Sequence, residues 1–235
     1  MLRHIDSAMM GRGVHGWLDS HFHFSFAEYY NPDNIHFGAL RVLNDDIIAA
    51  GTGFEMHPHK DMEIISYIVE GELSHKDSMG NEHTLSKGQV QYMSAGTGIF
   101  HSEHNWGDKP MRLVQVWILP DAVGYKPAYG DFRFAWEDRI GRWLPLVTSY
   151  DNSDSTAPVK VHQDVNFFAS LIEKGESLDF KVGKGRQAYL VVLDGKASVS
   201  GIEMTHRDAL EIVEEDVSIT ADKQSHLYVI EMKKG

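Results

Sequence analysis

The chain has 235 residues, of which 42% are apolar, so it can bury one large β domain or two small ones. Its formal net charge of −12, with 34 acidic against 22 basic residues and no Lys/Arg-rich run, disfavours direct binding to nucleic acid. There is no cysteine, which excludes disulfides, thiolate nucleophiles and cysteine-based metal sites and leaves imidazole and carboxylate as the strong metal donors.

Taken from the N-terminus, Met1-Leu2-Arg3-His4-Ile5-Asp6 carries no apolar signal-peptide core, and no later stretch approaches the roughly 18 apolar residues of a membrane span. The expectation is a cytoplasmic protein with no membrane partner. Ser20-His21-Phe22-His23-Phe24-Ser25-Phe26 alternates aromatic and polar residues, the pattern of a half-buried strand, so His21 and His23 are read as structural residues on its outer face.

The densest chemical signal is Gly51-Thr52-Gly53-Phe54-Glu55-Met56-His57-Pro58-His59-Lys60-Asp61-Met62-Glu63. In extended backbone, residues i and i+2 share a face, so His57 and His59 present two imidazoles to one point. Pro58 has no N–H for a central ladder position and places the pair at a strand end or sheet edge. Glu63, at even spacing from His59, could be a ligand, a hydrogen-bond partner of a ligating imidazole or a solvated strand residue; the second role is favoured.

Short strands follow at Ile64–Val69, Gln89–Met93 and Arg112–Leu119, separated by Gly-centred turns at Glu70-Gly71-Glu72 and Ser78-Met79-Gly80-Asn81-Glu82. Between the second and third strands, Ser94-Ala95-Gly96-Thr97-Gly98-Ile99-Phe100-His101-Ser102-Glu103 repeats the i, i+2 geometry with one nitrogen and one oxygen donor. Two such pairs on neighbouring strands facing one barrel interior give three histidines and one carboxylate, with positions left for water, substrate or dioxygen. His75, His83, His104, His162, His206 and His226 have no ligand-spaced partner and are read as surface or core residues.

The polar segment Asp151–Pro158 marks a boundary or long loop, and Tyr67–Ser74 has a weak echo in Tyr189–Ser198. The expected architecture is therefore all-β, with little helix and two related β units. We place the halves at 1–140, with the metal site, and 141–235.

These residues resemble a cupin, specifically a pirin-type bicupin of the bacterial quercetinase-like group. The first cupin motif runs from Gly51 through His57, His59 and Glu63 to Gly71, with one extra residue before the glycine. The second is met by Gly88, Gly96, His101 and Asn105, with Ser94 where proline is usual. Ser94 to Glu103 is itself similar to the pirin version, as are Gly16–Tyr30, Leu40–Asp46 and Lys160–Asp164. The resemblance implies two β-barrel (double-stranded β-helix, jelly-roll) halves in one chain, the first binding metal through His57, His59, His101 and Glu103. The segment in the second half that corresponds to His-x-His, Lys181–Ala188, has no imidazole, which implies a metal-free second barrel.

The resemblance further implies one divalent transition-metal ion, iron first, with manganese, cobalt, nickel, copper and zinc as alternatives. It implies a quercetin 2,3-dioxygenase acting on flavonols or other aromatic substrates with dioxygen, and Glu103 or Glu63 is the expected proton acceptor. A second reading from the same family is a metal-binding regulatory or redox-sensing interaction protein without significant turnover. A third is metal-dependent isomerisation or oxidation of another small metabolite, since cupin scaffolds host many chemistries. Two barrels in one chain imply a monomer.

Overall fold

A computed structural model describes residues 1–235. The chain forms 22 strands and two short 3₁₀ turns, Ser7–Met9 and Trp136–Arg139. No helix is long and apolar enough to cross a membrane. The strands are β1 (Leu2–Ile5), β2 (Gly11–Val14), β3 (Leu18–Phe22), β4 (Leu40–Ile48), β5 (Thr52–His59), β6 (Glu63–Glu70), β7 (Glu72–Asp77), β8 (Glu82–Ser86), β9 (Val90–Ser94), β10 (Ile99–Asn105), β11 (Met111–Ile118) and β12 (Ala128–Phe132). They continue as β13 (Leu144–Ser149), β14 (Val159–Val161), β15 (Val165–Ile172), β16 (Ser177–Phe180), β17 (Arg186–Asp194), β18 (Lys196–Val199), β19 (Ile202–Thr205), β20 (Ala209–Val213), β21 (Val217–Ala221) and β22 (Ser225–Lys233).

The chain divides into two compact units. The first in sequence comprises Gly11–Phe134 with Val161–Gln163; the second comprises Met1–Met10, Ala135–Lys160 and Asp164–Gly235. The sequence reading put residues 1–10 in the first half, but Leu2–Ile5 pairs antiparallel with β20 and its main-chain hydrogen bonds are made there.

Each unit is two sheets. In the first, a seven-stranded sheet runs β12-β9-β6-β11-β4-β3-β2 and a four-stranded sheet runs β5-β10-β7-β8. In the second, the orders are β1-β20-β17-β22-β15-β13-β14 and β16-β21-β18-β19. The two patterns superimpose strand for strand, and the N-terminal β1 fills in the second unit the edge position that β12 fills in the first. Local irregularities match too. The β6–β11 ladder slips between Arg112 and Leu113, opposite Glu70 and Ile68, and the β17–β22 ladder slips opposite Asp194 and Val192. The next residues, Gly71 (φ +80°) and Gly195 (φ +99°), turn the chain in the left-handed region, where a Cβ would lie 2.7 Å from Met111 Cβ and 2.2 Å from the Gln224 carbonyl oxygen respectively.

The first barrel has two apolar clusters, Leu18, Ile48, Ile68, Leu73, Leu85, Met111 and Leu113 in one and Ile64, Met93, Ala95 and Ile99 in the other. The second barrel is packed with hydrocarbon from Ile172, Leu190, Leu210 and Val229 outward.

The Ser20–Phe26 expectation needs correction. The alternating strand ends at Phe22, and His23, Phe24 and Ser25 are all buried, with His23 only 1% exposed. His21 is partly exposed, as the alternation predicts, whereas His23 is buried; its main-chain N–H donates to the Leu43 carbonyl and its carbonyl accepts from Asn34 Nδ2.

Candidate metal centre

β5 is the edge strand of its sheet and pairs on one side only, with β10. Pro58 therefore sits where a missing N–H costs no ladder bond. In the β5–β10 register, His57 lies opposite His101, and Ile99 lies opposite His59. Their rings close into a triangle with centroids 4.4 Å apart for His57–His101, 4.9 Å for His57–His59 and 4.9 Å for His59–His101. One ligand atom from each lies within 4.8 Å of the others.

The protonation of these rings suits ligation. His57 Nδ1 donates to the Glu55 carbonyl at 2.7 Å, which fixes that tautomer and leaves the Nε2 lone pair free. Burial, aided by the neighbouring His101 and His57, lowers the pKa of His59 to about 4. Burial and the nearby His57 and His75 lower that of His101 to about 3. Both are neutral bases at neutral pH, the form a metal requires. His101 is 1% exposed and neither ring nitrogen has a hydrogen-bond partner. A buried imidazole with both nitrogens unpaired calls for an occupant, and a cation supplies one. The donor set fits a divalent transition ion.

The β5–β10 ladder shifts register between His101 and Glu103, with the extra residue in β5 between Phe54 and His57, while the pairing of β10 with β7 continues through both residues. His101 and Glu103 therefore keep one face. Gly53 lets β5 approach β10 closely beside the bulge: a Cβ there would lie 2.2 Å from the Glu103 carbonyl oxygen and 2.5 Å from His104 Cα. Glu103, 1% exposed, does not join the three-histidine group; its carboxylate groups with His75 and His101 in a second set of close ligand atoms. Its oxygens accept from Gln115 Nε2 at 2.7 Å, Gln91 Nε2 at 2.5 Å and Ser66 Oγ at 3.2 Å.

His75, expected to be a surface or core residue, lies in the core beside His101. It is 1% exposed, stacks on Tyr129 at 4.2 Å and lies opposite Glu103 in the β7–β10 ladder. Its Nε2 is 3.3 Å from Asp77 Oδ2, and Nδ1 has no partner. The i, i+2 spacing of His75 and Asp77 was the available signal.

Glu63 is not beside the histidines. Lys60–Met62 separates β5 from β6, with Asp61 at φ +47°, so the even spacing from His59 does not carry across. The Glu63 carboxylate accepts from Ser94 Oγ at 2.6 Å and from the His162 N–H at 3.4 Å, and burial raises its pKa. His162 stacks on Tyr125 at 3.6 Å. His104 turns away to stack on Trp106 at 4.4 Å.

His57, His59 and Glu103 open onto a pocket of about 530 Å³ walled by Trp17, Phe26, Phe54 and Trp117. Trp17 meets Phe54 edge-on at 5.1 Å, and Trp117 meets Phe26 at 5.4 Å and His59 at 4.9 Å in the same way. An aromatic slot ending on imidazoles and a carboxylate can bind a planar molecule and bring its polar edge to a cation.

Residues 4–118 match the family model described as Pirin, and residues 146–232 match the one described as Quercetinase C-terminal cupin domain. The chain is 42% identical over 224 residues to the quercetin 2,3-dioxygenase of Escherichia coli K12, covering 94% of each chain. It is 40% identical to a pirin-like protein of Caulobacter vibrioides, covering 94% of this chain and 95% of that one. The crystal structure of the bacterial pirin YhhW from Escherichia coli in complex with nickel(II) superimposes with a TM-score of 0.92, at 38% identity and 100% coverage of both chains.

Proposed function

Because this chain belongs to the pirin family of cupins, we propose that it is a metal-dependent dioxygenase that cleaves flavonols such as quercetin, with His57, His59, His101 and Glu103 holding one divalent transition-metal ion. The observation that carries this reading is the convergence of His57, His59 and His101 beside an aromatic-walled pocket of about 530 Å³ that His57 and His59 line, within the size range of small-molecule sites. That a related pirin binds nickel(II) supports a first-row divalent ion. Iron is the ion we assign, with manganese, cobalt, nickel, copper and zinc as competitors for the same donors.

The bound ion would supply Lewis acidity, lowering the pKa of the flavonol 3-hydroxyl and making the resulting oxyanion electron-rich enough for dioxygen to attack. Everything else falls to the chain. Trp17, Phe26, Phe54 and Trp117 hold the planar substrate and exclude water, and His59 and His101 stay neutral because burial opposes their protonation. Glu103 is the carboxylate on the pocket wall and takes the hydroxyl proton. Glu63 is tied to Ser94 and His162 and is assigned to holding that segment in place. One dioxygen is consumed per flavonol, both of its atoms enter the ring-opened ester, and carbon monoxide leaves. Such a protein needs no nucleic-acid partner, and we assign it as a cytoplasmic monomer.

The test is aerobic quercetin supplied to protein loaded separately with iron, manganese, cobalt, nickel or copper, following flavonol loss and carbon monoxide release. Turnover with at least one ion is expected. No turnover with any ion, while His101→Ala still abolishes metal binding, would overturn the dioxygenase reading in favour of a metal-binding regulatory or redox-sensing protein.

A further inference from the structure

Glu103 sits in a clamp whose two jaws are built alike. On one side Gln115 Nε2 donates to Glu103 Oε2 at 2.7 Å, and the oxygen of the same amide accepts from Trp117 Nε1 at 3.1 Å. On the other, Gln91 Nε2 donates to Glu103 Oε1, and its amide oxygen accepts from the Tyr129 hydroxyl at 3.3 Å. A glutamine alone could present either end of its amide to a neighbour. Here a flip would turn a carbonyl oxygen toward the carboxylate and an NH₂ toward an aromatic donor, losing both hydrogen bonds and adding two repulsive contacts. The indole and the phenol therefore decide which way each amide faces, and the two amides fix the carboxylate.

The clamp is placed by register. Ser66 on β6 lies opposite Gln115 on β11 and opposite Gln91 on β9, so the three form one row across the sheet, with Glu103 arriving from the four-stranded sheet. All four are buried, Gln91 at 3%, Gln115 at 9%, Ser66 at 0% and Glu103 at 1% exposure. The second barrel supplies the comparison. Counting from the matched ladder slips, its corresponding row is Leu190 flanked by Val229 and Leu210, all hydrocarbon. The amide row thus occurs in the barrel that has the histidines and is replaced by packing in the one that lacks them. Uncompensated, three buried polar side chains would destabilise a barrel, and the second barrel has leucine and valine at these positions.

We propose that Trp117 and Tyr129 are positioning residues for Glu103, acting through the side-chain amides of Gln115 and Gln91, and that Trp117, whose ring also walls the aromatic pocket, ties the orientation of Glu103 to that pocket. The inference rests on the reading that Glu103 is the oxygen ligand of the metal.

The experiment loads the full chain and its variants with cobalt(II) and reads affinity, by competition with a chelating dye, and the visible absorption bands, which report ligand geometry. Tyr129→Phe and Trp117→Phe each delete a donor while keeping a ring. Each is expected to shift the bands and weaken affinity about tenfold, the low end for residues that orient a ligand. Gln115→Met should do the same, and adding Trp117→Phe to it should change nothing further, because the indole acts through that amide. Thermal melts of the apo-proteins identify any variant that fails to fold, and Tyr129→Phe, nearly isosteric, keeps the test open if the tryptophan variant does. Unchanged bands and affinity in both phenylalanine variants would overturn the proposal, as would a full Trp117→Phe effect in the Gln115→Met background. Glu103→Ala separates the two levels. If it leaves cobalt affinity and spectrum at wild-type values, the ligand reading itself fails; if it changes them while the glutamine and aromatic variants are silent, only the positioning role fails.

Discussion

The imidazoles of His57 and His101 lie 4.4 Å apart, centroid to centroid, because the two residues are direct partners in the β5–β10 ladder. Three imidazoles from separate segments of sequence thus reach one point through strand register. Replacing either ring removes a donor from a closed set. His57→Ala and His101→Ala are each expected to lower bound metal after dialysis from one equivalent to a small fraction of one, while His21→Ala retains the full equivalent. Retention of one equivalent by His101→Ala would place the ion elsewhere. Chelation of the wild type should lower its melting temperature, since an ion at about 100 times its Kd adds about 2.7 kcal/mol to folding stability.

Gly53 offers a backbone test of the same geometry. Because a Cβ would meet the Glu103 carbonyl oxygen at 2.2 Å, Gly53→Ala must push β5 away from β10 at the bulge. The expected cost is about 1–3 kcal/mol in urea unfolding, as for other overpacked sites. Metal affinity should fall with it although no donor is altered, because β5 carries His57 and His59. Wild-type affinity in a destabilised Gly53→Ala protein would show that the strand spacing is not what sets the site.

Much of this was legible in the sequence where a pattern is local. The His57-x-His59 and His101-x-Glu103 pairs, the Gly71 turn and the edge position of Pro58 all follow from a period of two and from what proline and glycine allow. What escaped depends on partners distant in sequence. His75 becomes a neighbour of His101 only through the β7–β10 ladder, and Gln91 and Gln115 become a clamp only because β6 lies between their strands. Glu63 was misplaced by a local error: the period of two was carried through Lys60–Met62, where the strand is broken. Residues 1–10 were misplaced because a four-residue strand carries little sign of which sheet it will join.

His75 separates the two clusters of ligand atoms. Its Nε2 is occupied by Asp77 at 3.3 Å and its ring is stacked on Tyr129, so it is assigned to bracing rather than ligation. His75→Phe keeps the stack and removes both nitrogens. The expected outcome is one equivalent of metal with unchanged cobalt(II) bands, while Asp77 keeps its bonds from Asn81 and the Met79 N–H. A loss of metal comparable to that of His57→Ala would instead make His75 a ligand and shift the site toward the His75, His101, Glu103 set.

Asp46 gives the fold a pH dependence with a definite sign. It is 2% exposed, accepts from Ser20 Oγ at 2.5 Å, and has its pKa raised to about 7 by burial, with the charges of Asp45 and Glu103 adding to the effect. Between the unfolded value near 3.8 and the folded value near 7, the folded state holds a proton that the unfolded state has released. Stability contributed by this group is therefore full at acid pH and is lost as pH rises through that window, at up to about 1.4 kcal/mol per pH unit. Asp46→Asn keeps an amide oxygen to accept from Ser20 and cannot ionise. In urea unfolding of the metal-free proteins, the variant should match the wild type near pH 4 and exceed it by a few kcal/mol at pH 8, with the gap opening across the window. A difference of the same size at both pH values would mean that Asp46 is charged in the folded barrel, and that burial there is offset by a partner stronger than the Ser20 hydroxyl.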